Sequence, residues 1–130
     1  MKNLIKSISA IALVAFSLLS LNSCEKEKST TIKITVRDAN NALVIGAGVN
    51  LFVDPLSITN TESTIDTKID QYKTTDYKGE ATFDVTTIYK AGSAGVGILD
   101  ILVESGSNET QTVIKIEPEV ENTQTVYVPL

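Results

Sequence analysis

The sequence predicts an all-β protein, a single seven-stranded antiparallel β-sandwich that follows an apolar helical segment at the N-terminus. Three observations carry this. Beyond residue 30 the apolar residues recur with period two, as they do along a half-buried strand. Threonine, valine and isoleucine dominate, as pleated surfaces favour. Clusters of Asn, Asp, Ser, Gly and Pro punctuate the pattern, and no stretch there keeps a helical period.

The strands follow in order. Ile32, Ile34 and Val36 alternate with Lys33, Thr35 and Arg37, and Asp38-Ala39-Asn40-Asn41 turns the chain. Val49, Leu51 and Val53 form the second run, which ends at Asp54-Pro55. A weaker strand covers Lys68–Thr75, with Tyr72 and Thr74 on one face. Ala81, Phe83 and Val85 alternate with Glu80, Thr82 and Asp84. Leu99, Ile101 and Val103 lead to the turn Ser105-Gly106-Ser107-Asn108. Ile114 and Ile116 precede Pro118, and Val126 and Val128 close the pattern with Tyr127 pointing the other way. Two sheets whose apolar faces meet would hide these residues in one core.

Between the third and fourth strands, Asp76-Tyr77-Lys78-Gly79 reads as a tight reversal. The Asp76 carboxylate can accept from the backbone two residues on, and Gly79 can take the positive φ such a turn requires.

A chain of 130 residues has room for one domain. A domain of about 100 residues buries roughly two-thirds of its unfolded surface, enough for a core without staples. The net charge is −5, and the residues before Cys24 contribute only two lysines to it, so the remainder is more acidic still. Spread acids favour solubility and argue against nucleic acid as a partner. The chain has no histidine, which removes the commonest general base and metal ligand and excludes a Ser-His-Asp triad. The absence of tryptophan weakens the case for a sugar-stacking platform.

Residues 1–23 read as an export signal. Lys2 and Lys6 form a basic head, and an apolar run from Ile8 to Leu21 follows, too short for an ordinary membrane span. The exit is Leu21-Asn22-Ser23-Cys24. It resembles the lipobox of bacterial lipoproteins, with an apolar residue three before the cysteine and a small residue just before it. That resemblance implies a diacylglyceryl group on the Cys24 thiol, cleavage between Ser23 and Cys24, and commonly acylation (palmitate or a similar chain) of the new amine. Several acyl chains at about 0.8 kcal/mol per buried methylene anchor a protein stably. The alternative, a buried unmodified thiol, fits poorly between an apolar run and the charged Glu25-Lys26-Glu27-Lys28. Residues 24–30 then form a lipidated tether and residues 31–130 the sandwich domain. Position two after cleavage is Glu25 rather than the aspartate that retains enteric lipoproteins at the inner membrane. The resemblance therefore implies a cell-envelope protein of the outer membrane. The charged run also resembles Bacteroidetes-type surface-export signals, which leaves the membrane face open.

The domain itself resembles small transthyretin-like and carboxypeptidase-regulatory-like sandwich modules. Ala47, Val49 and Leu51 match one of their strands, and Thr75, Asp76, Gly79, Ala81 and Phe83 match a T-D-x-x-G-x-A-x-F hairpin. Asn40-Asn41 stands where such domains usually have glycine, and Ala94-Gly95-Val96-Gly97-Ile98 replaces their glycine-tyrosine entry to a late strand. The resemblance implies an immunoglobulin-like or transthyretin-like fold and an accessory, spacer or adhesion role.

Other candidate sites give way to plainer readings. Gly92, Gly95 and Gly97 lack the Gly-Lys-Ser/Thr ending of a phosphate loop and read as a flexible connection. Glu62, Asp66, Asp70 and Asp76 lack the spacing of a calcium loop, and no metal site is expected. Glu117, Glu119 and Glu121 bracket Pro118 and read as surface charge rather than an acid–base set. Ser93 and Ser105 have no histidine to activate them. Among the tyrosines at 72, 77, 89 and 127, Tyr77 and Tyr127 are the candidates for a contact surface. The Ser/Thr-rich stretch 55–67 is the natural place for variable contacts.

The reading that follows is a non-enzymatic, membrane-anchored structural, adhesion or accessory-binding module without a cofactor. It is tethered through lipid on Cys24 and meets another envelope or surface protein. The rival is a binder of carbohydrate or a hydrophobic molecule in an envelope uptake system, and an enzyme is the third class.

Overall fold

The computed structural model describes residues 28–54, 69–88 and 97–130. Within them are seven strands: β1 (Thr31–Asp38), β2 (Gly48–Phe52), β3 (Asp70–Thr74), β4 (Glu80–Asp84), β5 (Gly97–Ser105), β6 (Asn108–Ile116) and β7 (Glu121–Val128). One 3-10 turn, Thr86–Ile88, follows β4. The strands form a sandwich of two sheets, with orders β4-β1-β7 and β3-β2-β5-β6. Among the described residues no helix is long and apolar enough to cross a membrane. The residues expected to carry the export signal and the lipid, including Ser23 and Cys24, lie outside the described residues. So do Glu62, Asp66, Tyr89, Gly92, Ser93, Gly95 and the stretch 55–67.

The alternating pattern works as an address. Ile32, Ile34 and Val36 of β1 are fully buried, while Lys33 and Thr35 between them are half-buried on the outer side. Val49 and Leu51, Phe83 and Val85, and Leu99, Ile101 and Val103 fill the space between the sheets. Ile114, Ile116, Val126 and Val128 add to the core, as do Val53 and Ala81. Val44, Ala47, Ile69 and Ile88 join it from beyond the strands themselves.

The sandwich is not antiparallel throughout. β7 runs parallel to β1, from Thr31 opposite Glu121 to Asp38 opposite Val128. A parallel pair needs a long crossover. Here everything from β2 to β6 supplies it, because the chain leaves the first sheet after β4 and returns only at β7. The other pairings, β1 with β4, β2 with β3 and β5, and β5 with β6, are antiparallel.

Thr30, assigned to the tether by the strand pattern, belongs to the domain. It is buried. Its N–H donates to Thr86 Oγ1 at 3.0 Å, and its hydroxyl oxygen accepts from the Glu119 N–H at 2.8 Å. Its carbonyl accepts from the Val85 N–H at 2.9 Å. This one residue joins the entry of β1 to the exit of β4 and to the β6–β7 connection. Nearby, the buried Asn122 accepts from the Glu117 N–H at 2.8 Å and donates to the Glu117 carbonyl at 3.0 Å. That bracing holds the connection in which Glu119 adopts φ 62°.

These pairings define two ends. The entry end gathers Thr30, Asp84, Gly97 and residues 117–121. The opposite end gathers the turns at 38–47, 75–79 and 106–107, together with the C-terminus.

Candidate functional site

The turn end opposite the entry is built from two loops locked to each other. In the first, Asp38 reads its own turn: its Oδ1 accepts from the N–H groups of Asn40 at 2.8 Å and Ala42 at 2.9 Å. Asn41 takes φ 67°, a conformation asparagine tolerates better than most residues. Arg37 donates from Nη1 to the Asn41 carbonyl at 2.7 Å. The chain then returns along β1, with Arg37 bridging to Leu43 and the Val44 N–H donating to the Val36 carbonyl at 3.0 Å.

The second loop repeats the device. Asp76 Oδ1 accepts from the N–H groups of Lys78 at 2.8 Å and Glu80 at 3.1 Å. Gly79 sits at φ 68°, and its N–H donates to the Asp76 carbonyl at 2.9 Å. A Cβ at this position would come within 3.2 Å of both Leu43 Cβ and the Val36 carbonyl oxygen. Glycine therefore serves twice, for the backbone angle and for the close approach of the first loop.

Thr75 ties the loops together. It is buried. Its hydroxyl donates to the Val44 carbonyl at 2.7 Å and accepts from the Ala47 N–H at 2.9 Å. Its backbone adds two more bonds, Thr75 N–H to the Ala47 carbonyl at 2.9 Å and Gly46 N–H to the Thr75 carbonyl at 3.0 Å. The Val36 N–H donates to the Gly79 carbonyl at 2.8 Å and closes the ring.

On this braced frame stand three exposed apolar side chains: Leu43, Ile45 at 65% exposure and Tyr77 at 74%. Lys78 Nζ lies 5.6 Å from the centroid of the Tyr77 ring. Tyr127 is at the same end, on the outer face of β7 beside Arg37, and is 56% exposed. Tyr77 and Tyr127 thus share an end of the molecule on opposite sides of β1. Leu43 and Ile45 join them, although the strand pattern does not single them out. Their sequence signal is that they flank the buried Val44 in alternation.

The remaining candidates are dispersed. Asp70 begins β3, and Asp76 lies beyond its other end, in the turn to β4. Glu117 pairs with Lys115 at 3.6 Å and Glu121 with Lys33 at 3.0 Å. The Glu121 hydrogen bond and charge raise the Lys33 pKa above the ordinary lysine value. The Asp84 carboxyl is held below the ordinary aspartate value, first by the Thr86 hydroxyl and then by the Thr86 N–H, both of which donate to it. Among the described residues no group of three or more acidic or cysteine side chains stands together as a metal set. Ser105 ends β5, and Gly97 begins it.

The two outer sheet faces differ in character. The β4-β1-β7 face presents Lys33, Thr35, Arg37, Thr82, Thr123 and Thr125. The β3-β2-β5-β6 face presents Phe52, Tyr72, Ile98, Leu102 and Val113, three of them exposed.

No family model matches the sequence, and no curated protein matches it. Solved structures do share the fold. Catechol 1,2-dioxygenase from Pseudomonas arvilla C-1 superposes with a TM-score of 0.55 at 11% identity, over 83% of this chain and 54% of that one. The dioxygenase domain of a dioxygenase–carbohydrate-binding protein fusion from Streptomyces sp. SirexAA-E gives 0.54 at 11% identity, over 85% of both chains. 3-Chlorocatechol 1,2-dioxygenase from Rhodococcus opacus 1CP gives 0.53 at 12%, over 83% of this chain and 62% of that one. The chain spans about half the length of the first of these. At such identity the likeness is one of β-sandwich fold and carries no activity with it.

Proposed function

We propose that this protein is a lipid-anchored, non-catalytic contact module of the bacterial envelope, which holds its braced turn end away from the membrane to meet another envelope or surface protein. The observation that supports it most is the pairing of opposite ends. Thr30, where the tether enters, is fastened at one end of the sandwich, and Leu43, Ile45 and Tyr77 project from the other. The chain from Cys24 to Thr30 reaches at most about 20 Å when fully extended. An eight-residue strand adds about 26 Å more.

Exposed aromatic and aliphatic side chains on a rigid frame suit protein recognition, because little ordering entropy remains to be lost on binding. A non-catalytic role fits a chain without histidine whose described carboxylates lie on separate elements or in simple ion pairs. The outer membrane is the address favoured by Glu25 after Cys24.

Two measurements test the reading. Cys24→Ala should abolish acyl labelling and leave an uncleaved or mislocalised precursor; normal labelling of that variant refutes the anchor. A photo-crosslinking residue at position 77, on intact cells, should give a discrete adduct with one envelope protein. Leu43→Asp with Ile45→Asp should remove that adduct, and a crosslinker at Thr123 on the polar face should not form it. Equal adducts from both positions would refute the tip as the contact.

A further inference from the structure

The outer face of the β3-β2-β5-β6 sheet carries a second feature, which adjoins the tip but is made of other side chains. Tyr72 stands opposite Asn50 in the β2–β3 pairing and lies down across β2. A Cβ on Gly48 would fall 2.5 Å from the Tyr72 hydroxyl oxygen and 3.0 Å from its Cε2. The phenol therefore rests where a side chain at position 48 would be, and only glycine leaves that space. Its other side faces solvent, since the residue is 60% exposed. Beside it the Asn50 side-chain oxygen is hidden from solvent and finds no hydrogen-bond partner. Such an orphaned acceptor is uncommon in a folded protein, and it lies beneath the surface that a ligand would meet.

The register places polar groups around this ring. Thr74 and Glu104 flank Gly48 in one row, and Leu102 and Gln111 continue the Asn50 row. Glu109 lies opposite Glu104, and the cation on this face, Lys115, pairs with Ile98 toward the other end. The patch thus combines an exposed aromatic ring lying along the sheet with an amide, a hydroxyl and carboxylates at its rim. Among the described residues of these rows there is no positive charge to attract an anion.

We propose that this face binds a neutral pyranose ring, stacked on Tyr72 with its hydroxyl groups bonded to Glu104 and Gln111. The apolar C–H face of a sugar matches an aromatic ring, and its rim of donor hydroxyls matches the Gln111 amide and Glu104 carboxylate on the same sheet face. The nearby carboxylates exclude uronic acids and phosphorylated sugars by like-charge repulsion. A protein partner would find a patch broken by polar groups at each row. Glycine at position 48 is explained as the residue that lets the stacking ring lie down.

The test uses the full chain, isotope-labelled and held in phosphocholine micelles, since a maltoside detergent would itself offer pyranose rings. The probes are cello-, malto-, laminari-, xylo- and mannohexaose, with trigalacturonate as the anionic comparator. At least one neutral hexasaccharide should shift the amide signals of residues 48–50, 72–74 and 102–104 saturably, and trigalacturonate should not. Tyr72→Ala should weaken that binding about tenfold or more, which corresponds to one well-made contact. Gly48→Ala, whose new methyl displaces the phenol while keeping it in the molecule, should also weaken it. Tyr77→Ala at the tip should bind as the unaltered protein does, so failure here is separable from failure of the contact module. Silence toward every neutral hexasaccharide at about 10 mM, a Kd far weaker than any useful site, would overturn the proposal. So would equal binding by Tyr72→Ala, or a preference for trigalacturonate.

Discussion

Replacing Thr75 by valine keeps the shape of the side chain and removes its hydroxyl. Two groups then lose their partner inside the domain: the Val44 carbonyl, which accepted at 2.7 Å, and the Ala47 N–H, which donated at 2.9 Å. Thr75 and Ala47 are both buried, so water does not readily replace the lost bonds. Each buried group left unpaired costs about 1–3 kcal/mol. The two together should cost roughly 2–4 kcal/mol, with some relief if the loop shifts. A domain of this size has about 5–15 kcal/mol in total. With a urea slope of about 1–3 kcal/mol per molar, the midpoint should fall by about 1–2 M. The assay is urea unfolding of residues 28–130, followed by circular dichroism at neutral pH. Thr75→Ser is the control: it keeps both bonds and loses one methyl, at about 1 kcal/mol or less. Unfolding of Thr75→Val within about 0.5 kcal/mol of Thr75→Ser would refute Thr75 as the tie between the two loops.

Other perturbations follow from the same geometry. Gly79 sits at φ 68°, and a Cβ there meets Leu43 and the Val36 carbonyl at 3.2 Å. Gly79→Val should therefore destabilise by roughly 1–2 kcal/mol or more, because a β-branched residue is strained at that backbone angle. Gly106 sits at φ 62° with nothing within 4 Å of the added carbon. Gly106→Ala should cost only the backbone strain, about 1 kcal/mol; equal losses in the two chemical unfolding curves would contradict this. A fragment of residues 28–130 should melt in one cooperative transition that a chelator does not move. Residues 31–130, which lack Thr30, should melt at a lower temperature, since Thr86, Glu119 and Val85 each lose a bond. Asp84 has its pKa depressed in the folded state. Its contribution is present above the unfolded value of about 4 and is lost as pH falls through the folded value. Asp84→Asn should therefore flatten the acid limb of the stability profile below about pH 4 and leave the alkaline limb unchanged.

The core was legible because period-two alternation needs no knowledge of partners. In β1 each apolar residue is followed by a polar one, so any arrangement that buries Ile32 also buries Ile34 and Val36. The same logic covers Val49 with Leu51, and Leu99 with Ile101 and Val103. It fails where a buried residue lies at the edge of a run. Val44 and Ile88 lie outside the alternating stretches, and Ala47 and Ile69 stand just before β2 and β3, where loops folding back on the strand ends complete their burial. Strand partners were not legible either. Nothing in the Val126–Val128 alternation says that β7 returns to the first sheet and lies parallel to β1 rather than beside β6. That choice depends on the connection at residues 117–120, which Asn122 shapes from inside.

The two surface features divide along the same line. The tip is local: Asp38 and Asp76 each bond to amides two and four residues on, and such turns can be read from a few consecutive letters. What the letters do not carry is that both turns meet, because Thr75 reaches Val44 across 31 positions of sequence. The Tyr72 platform is less local still. Tyr72 and Gly48 are drawn together by the register that sets Asn50 opposite Tyr72 and Gly48 opposite Thr74. A slip of one residue would turn Tyr72 toward the core face and replace the glycine beneath it with a side chain. A tyrosine on a weak strand and a glycine on an earlier one are each unremarkable in sequence. Their meaning is created by pairing, so register is the level at which that surface becomes visible.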